Sequence, residues 1–331
     1  MKKISIMILL IFQTTLYSQN VSEVETSAAS FLTIGVAART TGMGDAFMAN
    51  DNDAAGVYWN PASLGLTSRS QFVFSNSDYI QDMKLDFWVG TFAGGQLGTL
   101  ALHRTSVKYP DEGIKTLDGT DEKITYSGSS FGISYANTVY NYISLGATIK
   151  RINEKIYHSE AKTWACDLGA IVTVPFHSLQ FSFGWSHLGG KMELEGVDLS
   201  SQIDFVDGNN EPISVSMDKD EYDLPRSIRY GFAGDILDGL LYSNLNLVFN
   251  GVKPREDDWI FNRGLEYVFY DLLYLRTGAV NSSGEDYEKI STTGLGLRYR
   301  FMNRVTCKFD FAHLNFKTYE DVDIYTIGIE L

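Results

Sequence analysis

Apolar and polar residues alternate over most of this chain, from about Ser70 to Leu331. In the segment 179–186, for example, the odd positions are Leu, Phe, Phe and Trp, and the even positions are Gln, Ser, Gly and Ser. Because successive side chains of a strand point to opposite faces, this period of two predicts β-strands with one apolar face. The apolar faces are often aromatic near their ends, and the other faces carry isolated charges beside glycines. That combination favours lipid outside and a polar lumen inside.

The alternation predicts fourteen strands, an even number. They are expected at 70–79, 84–93, 96–107, 128–139, 141–155, 162–174, 178–187, 224–234, 240–251, 258–269, 271–280, 289–301, 303–315 and 320–331. Connections after even-numbered strands are short, and those after odd-numbered strands are mostly longer. Short turns at one end and long loops at the other are typical of outer-membrane barrels. We therefore predict an all-β fold, a fourteen-stranded antiparallel transmembrane β-barrel formed by residues 70–331.

The first eighteen residues have the composition of a secretory signal peptide. Lys2 and Lys3 precede an apolar run, Ile4–Phe12, and Leu16-Tyr17-Ser18 offers a cleavage site before Gln19. We expect residues 1–18 to direct export and to be removed. Together with the strand pattern, this predicts a protein of the outer membrane, in contact with its lipid.

Composition and charge exclude several classes of function. Charged residues make up only 21% of the chain, which argues against general disorder, and the net charge of −14 argues against a nucleic-acid binder. The five histidines show no metal-ligand spacing. Gly128–Gly132 matches the G-x-S-x-G pattern but begins a strand, without the strand-to-helix elbow that a hydrolase needs. We therefore predict a non-enzymatic protein without a metal or cofactor. Two cysteines are too few for a disulfide scaffold, so we expect Cys166 and Cys307 to be buried, small apolar side chains, with a bridge between them as the alternative.

Residues 19–69 differ from the barrel region. The part from Ser27 to Thr67 is rich in Gly, Ala and Asp and has no long run of period two. Such a segment is too short to form an independent core, and its small residues allow close packing inside another structure. We expect it to lie in the barrel lumen as a plug, and its candidate residues are Gly42, Gly44, Asp45, Asp53, Asn60 and Pro61.

The sharpest motif in this segment is Asn60-Pro61. Proline fixes φ and Asn can hydrogen-bond its own backbone, so the pair predicts a defined turn. That turn is either a hinge of a moving plug or a seat that holds the plug against the barrel wall. Gly42 and Gly44 are expected to permit close backbone approach or a positive φ.

Strand parity places nine charged residues on the inward face. Five are basic and four are acidic, and they are Lys150, Asp167, Arg229, Glu266, Arg298, Arg300, Lys308, Asp310 and Glu330. Unpaired charges at low dielectric are costly, so these residues are expected to pair with one another or with the plug. A second possibility is that some of them line a path for substrate.

Short motifs in the N-terminal segment resemble those of the PorV/PorQ family of outer-membrane proteins, which are related to FadL-type transporters. The run from Gly42-Met43-Gly44 to Asn60-Pro61-Ala62 carries the likeness, and further similar motifs occur at 146–150, 154–157, 167–169, 224–226 and 294–299. The resemblance implies a fourteen-stranded barrel with an N-terminal lumenal segment.

Two functions follow from this resemblance. PorV-like members serve type IX protein secretion, which implies a component that binds the secretion translocon or secreted cargo domains. FadL-like members carry hydrophobic small molecules, which implies the alternative, a channel with a hydrophobic ligand. The loop 191–223, with ten acidic residues and two lysines, is either a solvated surface loop or a docking surface. We take the export role as the first hypothesis and the channel as the alternative.

Overall fold

The computed structural model describes most of the chain. The described residues are 27–47, 49, 53–110, 112–115, 121–140, 142–196, 200–203, 213–216, 221–237, 242–255, 257–283, 289–301 and 304–331. The predicted signal peptide and a large part of the loop 191–223 lie outside these residues.

Fourteen antiparallel strands close into one barrel, with the first strand hydrogen-bonded to the last. The barrel strands are β1 (Gln71–Tyr79), β2 (Met83–Ala93), β3 (Thr99–Lys108), β6 (Tyr126–Val139), β7 (Ile143–Ile156), β8 (Ser159–Val174), β9 (Leu179–Gly189), β14 (Ser227–Asp235), β15 (Ser243–Pro254), β16 (Ile260–Phe269), β17 (Leu273–Ser282), β18 (Ile290–Phe301), β19 (Val305–Asn315) and β20 (Val322–Glu330). Their order around the barrel is their order along the chain. Antiparallel neighbours in sequence need only local connections, which is the simplest way to close a sheet.

Three small hairpins stand outside the barrel ladder. They pair β4 (Glu112–Lys115) with β5 (Asp121–Ile124), β10 (Met192–Glu193) with β13 (Glu221–Tyr222), and β11 (Ser200–Ile203) with β12 (Ile213–Ser216). All three belong to the longer connections after β3 and β9, at the end of the barrel that we call the long-loop end. The opposite end, with the connections such as 94–98 and 175–178, is the short-turn end.

Helical structure in the described residues is limited to short turns. There is one α-helix, α1 (Ala38–Thr41), and there are 3₁₀ turns at Ser30–Thr33, Ala54–Tyr58, Pro61–Leu66, Ile80–Asp82 and Gly95–Leu97. Within the described part of the chain, no helix has the length and hydrophobicity required to cross a bilayer.

The predicted fold class is confirmed for the barrel. All fourteen predicted strands are present, and each boundary lies within three residues of the predicted one. The largest shifts fall at turns, for example at β3, where the 3₁₀ turn Gly95–Leu97 occupies the first residues of the predicted strand. The local turn, and not the alternation of apolar and polar residues, determines the start of β3, because Gly95 and Gly98 adopt positive φ values of 60° and 84°.

The outer face of the barrel is apolar. Along β7, Leu145 and Ile149 are exposed while their neighbours Ser144, Thr148 and Lys150 are buried inside. The same alternation runs through the other barrel strands, so a wide band of exposed hydrophobic side chains surrounds the barrel. Cys166 and Cys307 are unpaired, which excludes the bridge, but the expectation that they are buried is wrong. Both lie at outward-facing positions of their strands, where a small apolar side chain meets lipid.

The exposed apolar band predicts that a charged substitution on the outer face destabilises the barrel more at the middle of the bilayer than at its edge. Ile149 is 62% exposed near the middle of β7, and Tyr140 is 83% exposed at a short turn. Ile149→Lys should lower the free energy of unfolding in lipid vesicles by about 2–4 kcal/mol, and Tyr140→Lys by about 0–1 kcal/mol, because only the first places an ammonium group in hydrocarbon. Equilibrium urea unfolding measures both. Equal costs at the two positions would contradict the assignment of the lipid face.

Candidate functional site

The described N-terminal segment, 27–47, 49 and 53–69, contacts inward-facing residues of strands around the whole barrel. Many of its backbone groups bond within the segment, and wall side chains satisfy several of the others. Examples are Ala38 N to Thr326 Oγ1 of β20 at 2.8 Å, Thr292 Oγ1 of β18 to Gly42 O at 3.0 Å, Phe47 N to Asn250 Oδ1 of β15 at 2.6 Å, and Ser144 Oγ of β7 to Ala62 O at 2.5 Å. Buried backbone donors and acceptors need such partners, so the wall supplies what secondary structure does not.

The Asn60-Pro61 motif forms a turn fitted against β7, β8 and β9. Asn60 caps the 3₁₀ turn Pro61–Leu66, since its Oδ1 accepts a hydrogen bond from Ala62 N at 2.9 Å. Its Nδ2 donates to Phe183 O of β9 at 3.0 Å. A Cβ at Gly146 would stand 2.5 Å from Pro61 backbone atoms, and one at Gly169 would overlap Asn60 Oδ1. The wall therefore carries glycines where the motif approaches most closely.

Gly42 and Gly44 serve close approach on the opposite side of the lumen. Gly44 has a φ of 67°, and a Cβ there would lie 2.5 Å from the backbone N of Ala279 on β17. A Cβ at Gly42 would lie 3.2 Å from the Cα of Gly294 on β18. Both positions need glycine because backbone meets backbone.

Arg39 links the N-terminal segment to the wall. Its Nη1 lies 2.9 Å from Asp53 Oδ2 within the segment, and its Nη2 and Nε each lie 3.1 Å from the carboxylate of Glu266 on β16. All three side chains are buried. Burial alone would raise the pKa of Asp53, but the Arg39 guanidinium holds it below its usual value. Burial opposes the charge on Arg39 as well, yet Glu266 and Asp53 raise its pKa above the ordinary value.

The network continues through the wall. Glu266 Oε2 lies 2.7 Å from Arg276 Nε, and Arg276 Nη1 lies 2.5 Å from Asp310 Oδ1. Asn246 Nδ2 adds a hydrogen bond of 3.2 Å to Glu266. Five charged side chains thus alternate in sign from the segment across β16, β17 and β19, which offsets the desolvation of each.

Two further groups of predicted lumenal charges are paired. Lys150 Nζ lies 2.6 Å from Asp167 Oδ2 and 2.7 Å from His187 Nδ1. His187 has a φ of 61° and sits where the β8–β9 register shifts between Cys166 and Leu168, so the irregularity places its ring next to this pair. Near the short-turn end, Lys308 Nζ lies 2.8 Å from Glu330 Oε2.

Three predicted lumenal charges have no carboxylate partner among the described residues. Arg298 stacks over the ring of Tyr274, with its Cζ 4.2 Å from the centroid. Arg229 stacks similarly over Trp59 at 4.9 Å. Arg300 is exposed at the short-turn end. The alternation along a strand therefore predicts the face on which a charged side chain lies, but it does not identify the side chain that it contacts.

Sequence reasoning missed Arg39 and Arg276, which hold the centre of the network. Arg276 lies in a strand where Leu273, Tyr274 and Leu275 are all apolar, so its parity is ambiguous. Arg39 lies in a segment without a regular alternation of apolar and polar residues, so the direction of its side chain could not be inferred. The available signal was that Arg39 is the sole charge between Thr26 and Asp45, within an otherwise apolar and small-residue stretch.

Two cavities lie at opposite ends of the lumen. The outer cavity, at the long-loop end, has a volume of about 570 Å³. It is lined by aromatic and aliphatic side chains and by five charged ones, Asp45, Arg226, Arg229, Arg255 and Asp257. The inner cavity, at the short-turn end, has a volume of about 890 Å³ and a largely polar lining that includes Arg298, Arg300 and Glu330. Residues of the N-terminal segment line both cavities.

Solved structures with a similar fold were found, although no protein-family model and no curated protein matches the chain. The CymD monoaromatic hydrocarbon channel has a TM-score of 0.57 at 12% identity, over 89% of this chain and 97% of that one. A Pseudomonas aeruginosa FadL homologue has a TM-score of 0.54 at 11% identity, over 90% and 98%. The Pseudomonas putida toluene transporter TodX has a TM-score of 0.57 at 10% identity, over 88% and 96%.

The fold is the FadL-like outer-membrane β-barrel. At these low sequence identities the similarity concerns the fold. A protein with this fold is located in the outer membrane. The FadL-like part of the predicted resemblance is thus supported, and membership of the PorV/PorQ family stays a prediction.

The Arg39 contacts predict a large cost for removing one side chain. Arg39→Met should lower the free energy of unfolding by about 3–5 kcal/mol, because Asp53 loses its cation and Glu266 loses one of two at a buried site. Lys162→Met, which breaks the exposed pair with Glu160, should change it little. Equilibrium denaturation in detergent micelles compares the two. A small cost for Arg39→Met would contradict a fixed link between segment and wall.

The glycine at the Asn60 contact predicts a second, local effect. Gly169→Ala should destabilise the fold, and adding Asn60→Ala should recover part of the loss, because the clash is with Asn60 Oδ1. Gly90→Ala is the matched control, since its Cβ would meet only Phe72 Cδ2 at 3.8 Å. A double-mutant cycle on thermal unfolding gives the coupling. Additive effects at positions 60 and 169 would show that the contact is not made.

Proposed function

We propose that this protein is a non-enzymatic outer-membrane channel for apolar small molecules, with the outer cavity as its binding site. The observation that carries the proposal is the aromatic and aliphatic lining of that cavity, which opens at the long-loop end. Trp59 contributes from the N-terminal segment, Val280 and Ile290 from the wall, and Phe316 and Tyr319 from the loop after β19.

The dimensions of the outer cavity suit this role. Small-molecule sites in proteins occupy roughly 300–1,000 Å³ and combine a mostly apolar lining with a few polar groups. The outer cavity has about 570 Å³ and follows that composition. The larger inner cavity is polar, so it offers an apolar solute little gain on transfer from water.

The structural neighbours support a channel over an export role. These neighbours are a monoaromatic hydrocarbon channel, a FadL homologue and a toluene transporter, and none of the three is named as a secretion component. The export hypothesis also depends on the loop 191–223, of which only 191–196, 200–203, 213–216 and 221–223 are described. The channel, our alternative at the level of sequence, therefore becomes the leading proposal.

In this proposal residues 19–69 are the plug of the barrel 70–331. The segment borders both cavities, and its links at Arg39 and Asn60 hold it against two different strands of the wall, β16 and β9. We take Asn60-Pro61 as the seat of the plug rather than its hinge, because both polar atoms of the Asn60 amide are engaged in a fitted contact. Passage from the outer cavity onward then requires displacement of the plug.

Uptake of apolar probes tests the proposal. Cells of a Gram-negative host that lacks its own hydrophobic channel should accumulate naphthalene, 2-naphthol or both faster when they produce this protein. Val280→Trp should abolish the gain, because the indole would occupy the outer cavity. Initial rates with labelled probes give the comparison.

A size-matched control separates filling of the cavity from damage to the barrel. Ile327→Trp adds an indole to the lipid face of β20, where Ile327 is exposed, and should leave uptake unchanged. Equal uptake with and without the protein, while it is correctly inserted in the outer membrane, would refute the channel.

A further inference from the structure

The outer cavity contains two charged side chains whose functional groups have no hydrogen-bond or ion-pair partner. Among the described residues, neither the carboxyl of Asp45 nor the guanidinium of Arg229 makes such a contact. Asp45 Oδ1 and Arg229 Nε are also shielded from solvent. Both side chains line the same cavity, one from the N-terminal segment and one from β14.

This arrangement contrasts with the other charges of the segment. Arg39 and Asp53, only a few residues from Asp45 in the chain, are bonded to each other, and Arg39 also reaches Glu266. Burial raises the pKa of Asp45 to about 6, against the opposing charge of Arg229. A carboxyl and a guanidinium that approach without pairing are costly to maintain, and buried polar groups without partners call for an explanation.

Neighbouring polar atoms at this cavity show the same mixture of donors and acceptors. Trp59 Nε1 and Asn262 Oδ1 are shielded and have no partner, and Asn262 Nδ2 donates to the backbone O of Asp45 at 3.1 Å. In the part of the chain that the structure describes, five of the thirteen shielded side-chain atoms without a partner belong to residues that line this cavity, among them Arg226 with its Nε. The rest of the lining combines apolar side chains with Ser, Thr, Arg255 and Asp257, and Arg255 is ion-paired with Asp223.

The chemistry of the pair discriminates between classes of apolar ligand. A pure hydrocarbon would displace water from Asp45 and Arg229 and give neither a hydrogen bond. A carboxylate would suit Arg229 but would be repelled by the ionised Asp45. A hydroxyl group both donates and accepts one strong hydrogen bond, so it can bond to Asp45 as donor and to Arg229 as acceptor at once.

We propose that the outer cavity selects hydroxylated apolar molecules, of the phenol or aromatic-alcohol class, and that Asp45 and Arg229 bind the hydroxyl group. The inference rests on the proposed channel function and names its substrate class. The aromatic lining packs against the aromatic ring of the ligand, and Asp45 and Arg229 form hydrogen bonds with its single hydroxyl group.

Three ligands of matched shape test the proposal on the full chain in lipid nanodiscs, with empty nanodiscs subtracted. Isothermal titration calorimetry should give 2-naphthol at least about tenfold tighter binding than 2-methylnaphthalene, since hydrogen bonds to charged groups are the strong ones. Binding of 2-naphthoate should be weaker than that of 2-naphthol. Arg229→Met should reduce the preference for 2-naphthol over 2-methylnaphthalene to near unity and leave 2-methylnaphthalene binding unchanged, which also shows that the cavity is intact.

Asp45→Asn is the second variant, and Asn tolerates the φ of 56° found at this position. It should weaken 2-naphthol binding several-fold and strengthen 2-naphthoate binding about tenfold, because the repelling charge is gone. Arg255→Met is the matched control. Arg255 lines the same cavity at its rim and is ion-paired with Asp223, so its loss should leave the hydroxyl preference intact.

The outcomes separate this inference from the channel proposal. Equal affinity of the wild-type protein for 2-naphthol and 2-methylnaphthalene would overturn the hydroxyl selectivity and leave an apolar channel. A hydroxyl preference that survives in both Arg229→Met and Asp45→Asn would overturn the assignment to this pair. Binding of none of the three ligands would overturn the proposed function together with its substrate class.

Discussion

The contact of Arg39 with Asp53 and Glu266 is the interaction on which the organisation of the lumen depends. A barrel of fourteen strands encloses more space than its own inward side chains fill, whereas a barrel of about eight can be packed solid. The N-terminal segment occupies that space, but its small residues bury too little apolar surface to make a core of their own. A shared guanidinium supplies a link of defined geometry, because its fork of donors fits two carboxylates from different parts of the chain at once.

The rest of the segment is also positioned by specific contacts with the barrel wall. Where it touches the wall, glycines on one side or the other remove the Cβ atoms, as at Gly169 beside Asn60 and at Gly44 beside Ala279. Wall side chains then complete the hydrogen bonding of a backbone that forms, over its described residues 27–47, 49 and 53–69, one short α-helix and a few 3₁₀ turns. Fit and polar satisfaction, together with the apolar cluster that segment and wall share, specify how the segment lies in the lumen.

The barrel could be predicted from the sequence almost strand by strand, because period-two alternation is a local signal and antiparallel neighbours follow one another in the chain. The inward charges could be located for the same reason. The ion-pair partners of these charges could not be predicted from the sequence. The pair of Lys150 with Asp167 depends on the register between β7 and β8, and the pair of Arg276 with Asp310 depends on two successive strand pairings. Arg39 was missed because its segment has no period, and the two cavities were not foreseen in volume or lining because both depend on where that segment stops.

The difference between Arg39 and Arg229 bears on what the lumen is for. Both guanidinium groups lie at the boundary of segment and wall, and both have a carboxyl of the segment nearby, Asp53 in one case and Asp45 in the other. Arg39 is satisfied on every side, whereas Arg229 rests on the face of Trp59 and leaves its donors unused. If the charges served only to hold the segment, the second pair would close as the first does, since a direct ion pair would lower the free energy of both groups. The open pair coincides with the outer cavity, and the closed network lies between the two cavities. Ion-paired charges thus stand where the segment is held to the wall, and the unpaired Asp45 and Arg229 stand where a ligand can bind them.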